Sequence, residues 1–296
     1  PYLHSYPTRR SSDLASLVNL KYSDMCGRFV QIIDIELFVK RFGVRAPSQI
    51  TVRDNFNVSP GDRAYVITND KPDELQEFSF GLTPHWAKKQ MYLINARAEG
   101  DFNKEDDISY SGEAGIVNKP AFRTAIRSRR CLVIANGYYE GPAKERLSKP
   151  FHLRKKNGEV FAFAGIWDTW ANNTTGEVVH SFSIITTVAN AATQEIGHHR
   201  SPVILDRGDE QKWLNESLPL VDVLKLLKPY PGDDFIAVPV SIRVKDPKNK
   251  GRDLLIPVDH TNPTQYDSLV KKDLKLEGMG RNRRKEDPLG KQGKLF

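Results

Sequence analysis

Three short runs of apolar, β-branched and aromatic residues, Cys131 to Ala135, Phe161 to Ile166 and Phe182 to Thr187, most constrain what this chain can fold into. Each is too short for an amphipathic helix and shows little of the alternation of a half-exposed strand, so each reads as a strand buried on both faces. Further strand-like segments run from Ala64 to Thr68, Gln76 to Phe80 and Phe235 to Val240. Helices are few. Asp34 caps a short amphipathic one in which Ile33/Leu37 and Phe38/Phe42 sit four apart and Gly43 stops it, and others are expected from Asp209 to Glu216 and from Leu220 to Leu227, before Pro229. Asn57-Val58-Ser59-Pro60-Gly61 reads as a turn. Asn157-Gly158, between Phe151-His152-Leu153-Arg154 and Val160-Phe161-Ala162-Phe163, predicts a type I′ hairpin.

The 296 residues can make one large or two ordinary domains, and 39% hydrophobic content suffices for a packed core. Lys and Arg outnumber Asp and Glu by 44 to 37, a formal charge of +7. That excess suits a polyanionic partner, nucleic acid first, although a solvated basic surface has the same composition. The two cysteines, Cys26 and Cys131, exclude a disulfide framework and point to a reducing cytosol; no metal or cofactor is implied. No apolar run approaches the roughly 20 residues of a membrane span, so a soluble protein is expected. Residues 1–24 carry no signal-peptide pattern and read as a disordered or non-native extension ahead of Met25. Residues 100–120, with Glu105-Asp106-Asp107, suggest an exposed insertion, and the basic stretch from Glu277 a disordered tail.

Chemistry concentrates in five places. Met25-Cys26-Gly27-Arg28-Phe29 puts a Cys directly after a Met, so removal of Met25 would leave a thiol and a free α-amine on one residue. Such a 1,2-aminothiol captures aldehydes: the amine forms an imine and the thiol closes a five-membered thiazolidine. Asn95-Ala96-Arg97-Ala98-Glu99 places a polar Asn and Arg after an apolar strand end, within reach of a ligand or equally as a turn Asn and a surface Arg. Gly137-Tyr138-Tyr139-Glu140 follows the apolar strand that contains Cys131, itself read as inert core. A Glu among aromatics has its neutral form favoured by desolvation, unless one of the many arginines pairs with it. Tandem His198-His199 before Arg200-Ser201-Pro202 makes a loop suited to proton transfer and phosphate binding. The run Arg123 to Arg130 is a solvated helix face or a basic flank of the site.

In their joint order, Met-Cys-Gly-Arg-Phe, Asn-Val-Ser-Pro-Gly, Asn-Ala-Arg-Ala-Glu, the strand ending in Gly-Tyr-Tyr-Glu and His-x-Arg-x-Pro, these motifs closely resemble the SRAP family, the SOS response-associated peptidases, from Met25 to about Val258. The resemblance implies a single α+β domain over residues 25–262 with a curved, mostly antiparallel, barrel-like sheet core and peripheral helices. It implies a monomer that shields abasic sites in single-stranded DNA, and a cytoplasmic, nucleoid-associated bacterial setting. Carried onto this chain, it makes Cys26 the nucleophile and Asn95 the residue orienting it and the abasic sugar. Glu140 becomes the acid/base partner of the amine and of Met removal, and His198 assists sugar ring opening. Arg28, Arg97 and Arg200 would hold phosphates, and Trp86 is a candidate base-stacking wedge or a core residue. The chain departs from the family's pattern at His199, where Asp is frequent, and at Gly141, where Trp is usual and contributes an aromatic wall. A rival from another class is a cysteine hydrolase in which Cys26 attacks acyl groups with His198 as base. At the far end, Gln292, Leu295 and Phe296 resemble the short motif by which bacterial repair proteins dock on the replication sliding clamp, or are simply an apolar-ended tail.

Overall fold

The computed structural model describes residues 27–49, 51 and 53–261. Met25, Cys26, the 1–24 extension and the tail with Gln292, Leu295 and Phe296 lie outside the described residues. In chain order the strands are β1 (Phe29–Gln31), β2 (Asn55–Val58), β3 (Arg63–Thr68), β4 (Lys71–Phe80), β5 (Asn95–Arg97), β6 (Arg130–Ala135), β7 (Gly137–Glu140), β8 (Phe151–Lys155), β9 (Phe161–Ala171), β10 (Val178–Val188), β11 (Arg200–Pro202), β12 (Ile204–Leu205) and β13 (Phe235–Pro239). The α-helices are α1 (Ile35–Phe42), α2 (Ala125–Ser128), α3 (Ala191–Glu195), α4 (Arg207–Leu214) and α5 (Leu220–Leu224). None is long and apolar enough to cross a membrane.

Five strands close on themselves. β10 pairs with β4, β4 with β3, β3 with β6, β6 with β9, and β9 returns to β10 through a long antiparallel ladder from Val178↔Ala171 to Ile184↔Gly165. Only the β10 pairings with β4 and β5 are parallel. Closure removes edges that would otherwise expose unpaired backbone. A second, five-stranded antiparallel sheet, in the order β13-β8-β7-β1-β2, packs against this barrel. The α+β class with a mostly antiparallel, barrel-like core is what the resemblance implies.

The barrel explains why β6 is apolar at every position after its first residue. Cys131, Val133 and Ala135 face a cluster with Phe29, Phe80, Phe163 and Phe182, whereas Leu132 and Ile134 face Phe38, Phe42 and Trp213 of the helices α1 and α4 outside. Both faces of the strand are therefore core, as an unbroken apolar run requires. Cys131 is fully buried, and burial pushes its thiol well up, so it is inert packing. Helix α1 starts where Asp34 Oδ1 accepts the Leu37 amide and ends at Gly43, whose φ of 70° only glycine adopts cheaply. Its Arg41 grips Glu210 of α4 with two hydrogen bonds of 2.8 Å, docking one helix on the other.

Beyond their shared apolar cluster, the two sheets are tied by a buried amide side chain. Gln31, wholly buried at the end of β1, donates from Nε2 to the carbonyls of Tyr65 (3.0 Å) on β3 and Ile134 (2.8 Å) on β6, and its Oε1 accepts the Tyr65 amide at 2.8 Å. Tyr65 thus exchanges both backbone groups with a side chain as if with a neighbouring strand.

Two expectations fail and a third holds in part. Asn157-Gly158 is no hairpin: β8 belongs to the five-stranded sheet and β9 to the barrel, so the turn carries the chain between layers instead of pairing the strands it joins. A type I′ signal specifies the local reversal, and the register of β9 with β6 and β10 overrides the pairing. Residues 100–120 are mostly exposed, as expected, but they are anchored: Asn103 and Ile116 are buried and Ile116 N–H bonds the Ala98 carbonyl at 3.0 Å. The Arg123–Arg130 run is not uniformly solvated either. Arg130 is 1% exposed and donates to the backbone carbonyls of Trp213 (2.7 Å), Arg127 (2.8 Å) and Asn215 (2.8 Å), closing the C-terminal ends of α2 and α4 onto β6.

Replacing Arg130 with Met keeps the aliphatic stem and orphans these carbonyls. Urea unfolding followed by circular dichroism should show a loss of about 2–4 kcal/mol. Arg123→Met, on the exposed part of the same run, should change stability by less than about 0.5 kcal/mol.

Candidate active site

The site is organised by the pairing of β1 with β7, in which Phe29 lies opposite Tyr138 and Tyr139 N–H bonds the Arg28 carbonyl at 3.0 Å. Gly27 and Arg28 therefore run antiparallel to Tyr139 and Glu140. Both pairs line a cleft of about 630 Å³ together with Pro60, Ile94, Lys144, Arg146 and Lys245. Cys26 lies outside the described residues; the residue it is bonded to, Gly27, is on the cleft wall.

Glu140, at the end of β7, is 5% exposed. Its Oε1 lies 3.6 Å from Nε2 of His198, which is 3% exposed. His198 is presented by a tight turn after α3: its amide bonds the Thr193 carbonyl at 2.9 Å, and Asn190 caps the helix through the Thr193 amide at 3.0 Å. On the other side of the ring, Nδ1 lies 2.9 Å from the Arg200 carbonyl. The Arg200 amide also reaches Nδ1, at 3.2 Å, so the Arg200 backbone holds this side of the ring and turns Nε2 toward the carboxylate. A buried carboxylate and imidazole in this arrangement can pass a proton between them.

Gly141, the departure from the family's pattern, has a steric reason. A Cβ there would sit 1.8 Å from the Arg146 carbonyl oxygen, because the 142–149 turn folds directly over it. That turn, carrying Lys144 and Arg146, forms the cleft wall in place of an aromatic. Gly137 is held to glycine in the same way by the His152 ring, with Nε2 2.2 Å from a built Cβ.

Asn95 and Arg97 lie within β5 itself, not beyond a strand end, and pair in parallel with Ile184 and Thr186 of β10. Two residues apart, they share a face and line a second cleft of about 270 Å³ with Lys104 and Lys119. Arg28 donates to Ser59 Oγ (2.8 Å) and to the Lys245 carbonyl (3.1 Å) at the mouth of the larger cleft. Trp86 is 55% exposed on a rigid turn: Asp168 Oδ2 accepts the His85 amide at 2.9 Å, and Trp170 Nε1 donates to the Ala87 carbonyl at 2.6 Å. It is not a core residue. Arg200 is buried, its side chain 0% exposed, and its Nη2 donates to Glu99 (3.0 Å) and Thr186 Oγ1 (3.1 Å).

Sequence reasoning gave no role to three residues that build this site. Asn57, fully buried, donates to the carbonyls of Val244 (3.1 Å), Asp246 (3.2 Å) and Asn249 (3.0 Å), pinning the segment that supplies Lys245 and Pro247 to the cleft. Glu99 neutralises Arg200 and accepts the Val188 amide at 3.1 Å. Asp106 bonds Arg97 and lies 3.3 Å from His199 Nε2. Charge complementarity was the available signal: an acidic triplet amid basic motifs.

Next to Glu140 on the neighbouring strand, His152 is 4% exposed, and its Nε2 has no hydrogen-bond partner among the described residues. Burial, with a smaller contribution from Arg154, pushes its pKa from 6.5 down to about 3. The folded state thus binds the proton more weakly than the unfolded chain, so stability is fully present above pH 6.5 and falls as pH drops toward 3. At pH 4 this amounts to about 3 kcal/mol. His152→Leu should lose that much less stability than wild type between pH 7 and pH 4, measured by urea unfolding at each pH; equal losses would show that His152 is not buried neutral.

Residues 25–247 match the family model described as SOS response associated peptidase (SRAP). The abasic site processing protein YoqW of Bacillus subtilis (strain 168) is 33% identical over 238 residues, covering 78% of this chain and 99% of its own length. YoaM of the same organism, also named an abasic site processing protein, is 33% identical over 243 residues, covering 80% and 100%. A crystal structure of a protein from Bacteroides thetaiotaomicron, 29% identical, superposes with a TM-score of 0.65 over 79% of this chain and 100% of its own. A match over most of the chain, close relatives of full length and a shared fold establish that this chain belongs to the SRAP family.

Proposed function

We propose that this protein captures abasic sites in single-stranded DNA through a covalent bond to Cys26, after removal of Met25 exposes the α-amine. The observation that carries the proposal is the buried Glu140–His198 pair, 3.6 Å apart, whose Glu140 lines the same cleft as Gly27, the residue bonded to Cys26. The names of YoqW and YoaM support the substrate class.

An abasic sugar is mostly a cyclic hemiacetal, so its ring must open before the aldehyde can react. His198 would move the proton between the ring oxygen and the C1′ hydroxyl. The neutral amine of Cys26 adds to the aldehyde carbon, and the carbinolamine loses its hydroxyl as water with a proton supplied by Glu140. The thiol sulfur then adds to the imine carbon while the imine nitrogen takes up the proton, closing the thiazolidine without any change in oxidation state. Asn95, on β5, would orient the sugar, and exposed Trp86 would stack on a neighbouring base. The same Glu140 would assist hydrolysis of the Met25–Cys26 bond. The basic tail ending in Gln292, Leu295 and Phe296 would tether the protein to a sliding clamp, and residues 25–262 would constitute the working domain.

Protein expressed from Met25 should lose that Met by intact mass, and then gain the mass of an abasic oligonucleotide less one water, without borohydride. Cys26→Ser should give at most a borohydride-dependent adduct. A stable adduct from Cys26→Ser would remove the thiol from the mechanism.

Glu140→Gln should retain Met25 and, once processed by an added aminopeptidase, form adduct about 10²–10⁴-fold more slowly. His198→Ala should slow the reaction on the closed sugar yet react nearly normally with a simple aldehyde, which needs no ring opening. Rates equal to wild type in both variants, read on denaturing gels, would refute the pair's assignment.

A further inference from the structure

Adjacent residues of an extended chain point to opposite sides, so two neighbouring rings stack only where the backbone turns. At His198 and His199 it does: Gly197 has φ 76°, and the His198 amide returns to the Thr193 carbonyl at 2.9 Å. The two imidazoles lie face to face, with centroids 4.8 Å apart and planes 27° from parallel. His198 Nε2 stays beside Glu140, while His199 Nε2 lies 3.3 Å from Asp106 Oδ2.

The outer ring is itself held. The Ala189 amide bonds the His199 carbonyl at 3.1 Å. Asp106 accepts a hydrogen bond from Arg97, and its loop is pinned by buried Asn103, whose Oδ1 accepts the Asp107 amide at 2.9 Å and whose Nδ2 donates to the Asp107 carbonyl at 3.0 Å. Burial first, then the neighbouring His198, Arg200 and Arg97, holds the His199 imidazole below its ordinary pKa against the opposing pull of Asp106. At pH 7 the ring is therefore neutral and stacks without a charge of its own.

The last torsion of a histidine side chain is broad, so the direction of the ring is set by what touches it. The Arg200 backbone meets one edge of the His198 ring, at 2.9 Å and 3.2 Å, and Glu140 lies off the other. Contact through a single edge atom tolerates a swing of the ring plane. A second ring laid on the face blocks it. An Asp, frequent at this position in the family's pattern, has no ring to lay there, so the contact belongs to this chain's own sequence.

We propose that His199 is a positioning residue for His198: seated on Asp106, its ring covers the His198 imidazole and keeps Nε2 turned to Glu140. The inference rests on the assignment of His198 to sugar ring opening above and adds the group that aims it.

Protein with Met25 removed is mixed in excess with an abasic oligonucleotide. The maximal rate of adduct formation and the half-saturating protein concentration are measured for wild type, His198→Ala, His199→Ala, His199→Phe and the double variant His198→Ala/His199→Ala. His199→Ala should lower the maximal rate about 5–30-fold with half-saturation changed less than about twofold, because a misdirected group costs rate and not binding. His199→Phe keeps a ring on the His198 face and carries no proton, and should recover to within about threefold of wild type. On the His198→Ala background His199→Ala should add no further loss, as expected of a residue that acts through another. Reaction with a simple aldehyde, which needs no ring opening, should be the same for wild type and both His199 variants. His199→Phe as slow as His199→Ala, a rise in half-saturation in place of a loss of rate, or a further loss on the His198→Ala background would overturn the proposal. A slow His198→Ala beside wild-type rates in both His199 variants would overturn it and leave the His198 assignment standing. Wild-type rates in His198→Ala would sink both.

Discussion

The amide of Gln31 is the interaction on which the arrangement depends. A buried primary amide must satisfy its donors and acceptor, and Gln31 does so on the backbones of β3 and β6, two strands of the closed barrel. Because Gln31 ends β1, that anchor fixes β1 in register, and β1 in turn pairs with β7. Strand β7 ends at Glu140, and β1 begins two residues after Gly27. One side chain thus sets the spacing between the carboxylate and the chain segment bonded to Cys26. Register errors in β-sheets reverse every side chain, so a polar lock at a buried position specifies the site more sharply than apolar packing alone would.

The site is assembled from both layers. Glu140 and Arg28 come from the five-stranded sheet, whereas Asn95, His198 and Arg200 belong to β5, β11 and the loop before it on the barrel side. Ala143 N–H bonds the Gly197 carbonyl at 3.1 Å, tying the loop after Glu140 to the loop before His198. The Glu140–His198 pair therefore sits on a seam, and its 3.6 Å separation depends on how the two sheets are held together rather than on either sheet's own geometry. Placing such a pair on rigid strand ends and short bonded loops limits the reorganisation needed when substrate arrives.

Much of the core was legible because strand length and apolarity are local properties. The runs at Cys131, Phe161 and Phe182 became barrel strands, and Asp34 and Gly43 bounded α1 as their capping chemistry dictates. What the sequence hid was partnership. Asn157-Gly158 specified a reversal and not which sheet each flanking strand would join. Arg130 looked like its neighbours in the basic run, yet only its side chain points to the helix ends. Gln31, and Asn57 in what read as a turn but is the strand Asn55–Val58, matter through carbonyls more than 30 residues away. The Gly-Tyr-Tyr-Glu and His-His-Arg motifs were visible as chemistry, but Glu140 and His198 are 58 residues apart, and no local rule places them in contact.

Net charge proved a poor guide to where anions would bind. Of the chain's +7, residues 27–261 carry only +2, and the arginines nearest the site are largely neutralised within the protein. Arg200 is held by Glu99, Arg97 by Asp106, and Arg129 by Asp168, which also steadies the turn that carries Trp86. Internal carboxylates keep these guanidinium groups oriented and lower the desolvation cost of burying them. Under the proposed function, a strand entering the site would meet preorganised dipoles and ion pairs instead of bare positive charge. That compensation would restrain affinity for undamaged single strands. Selectivity would then come from the step that only an aldehyde permits, bond formation at Cys26.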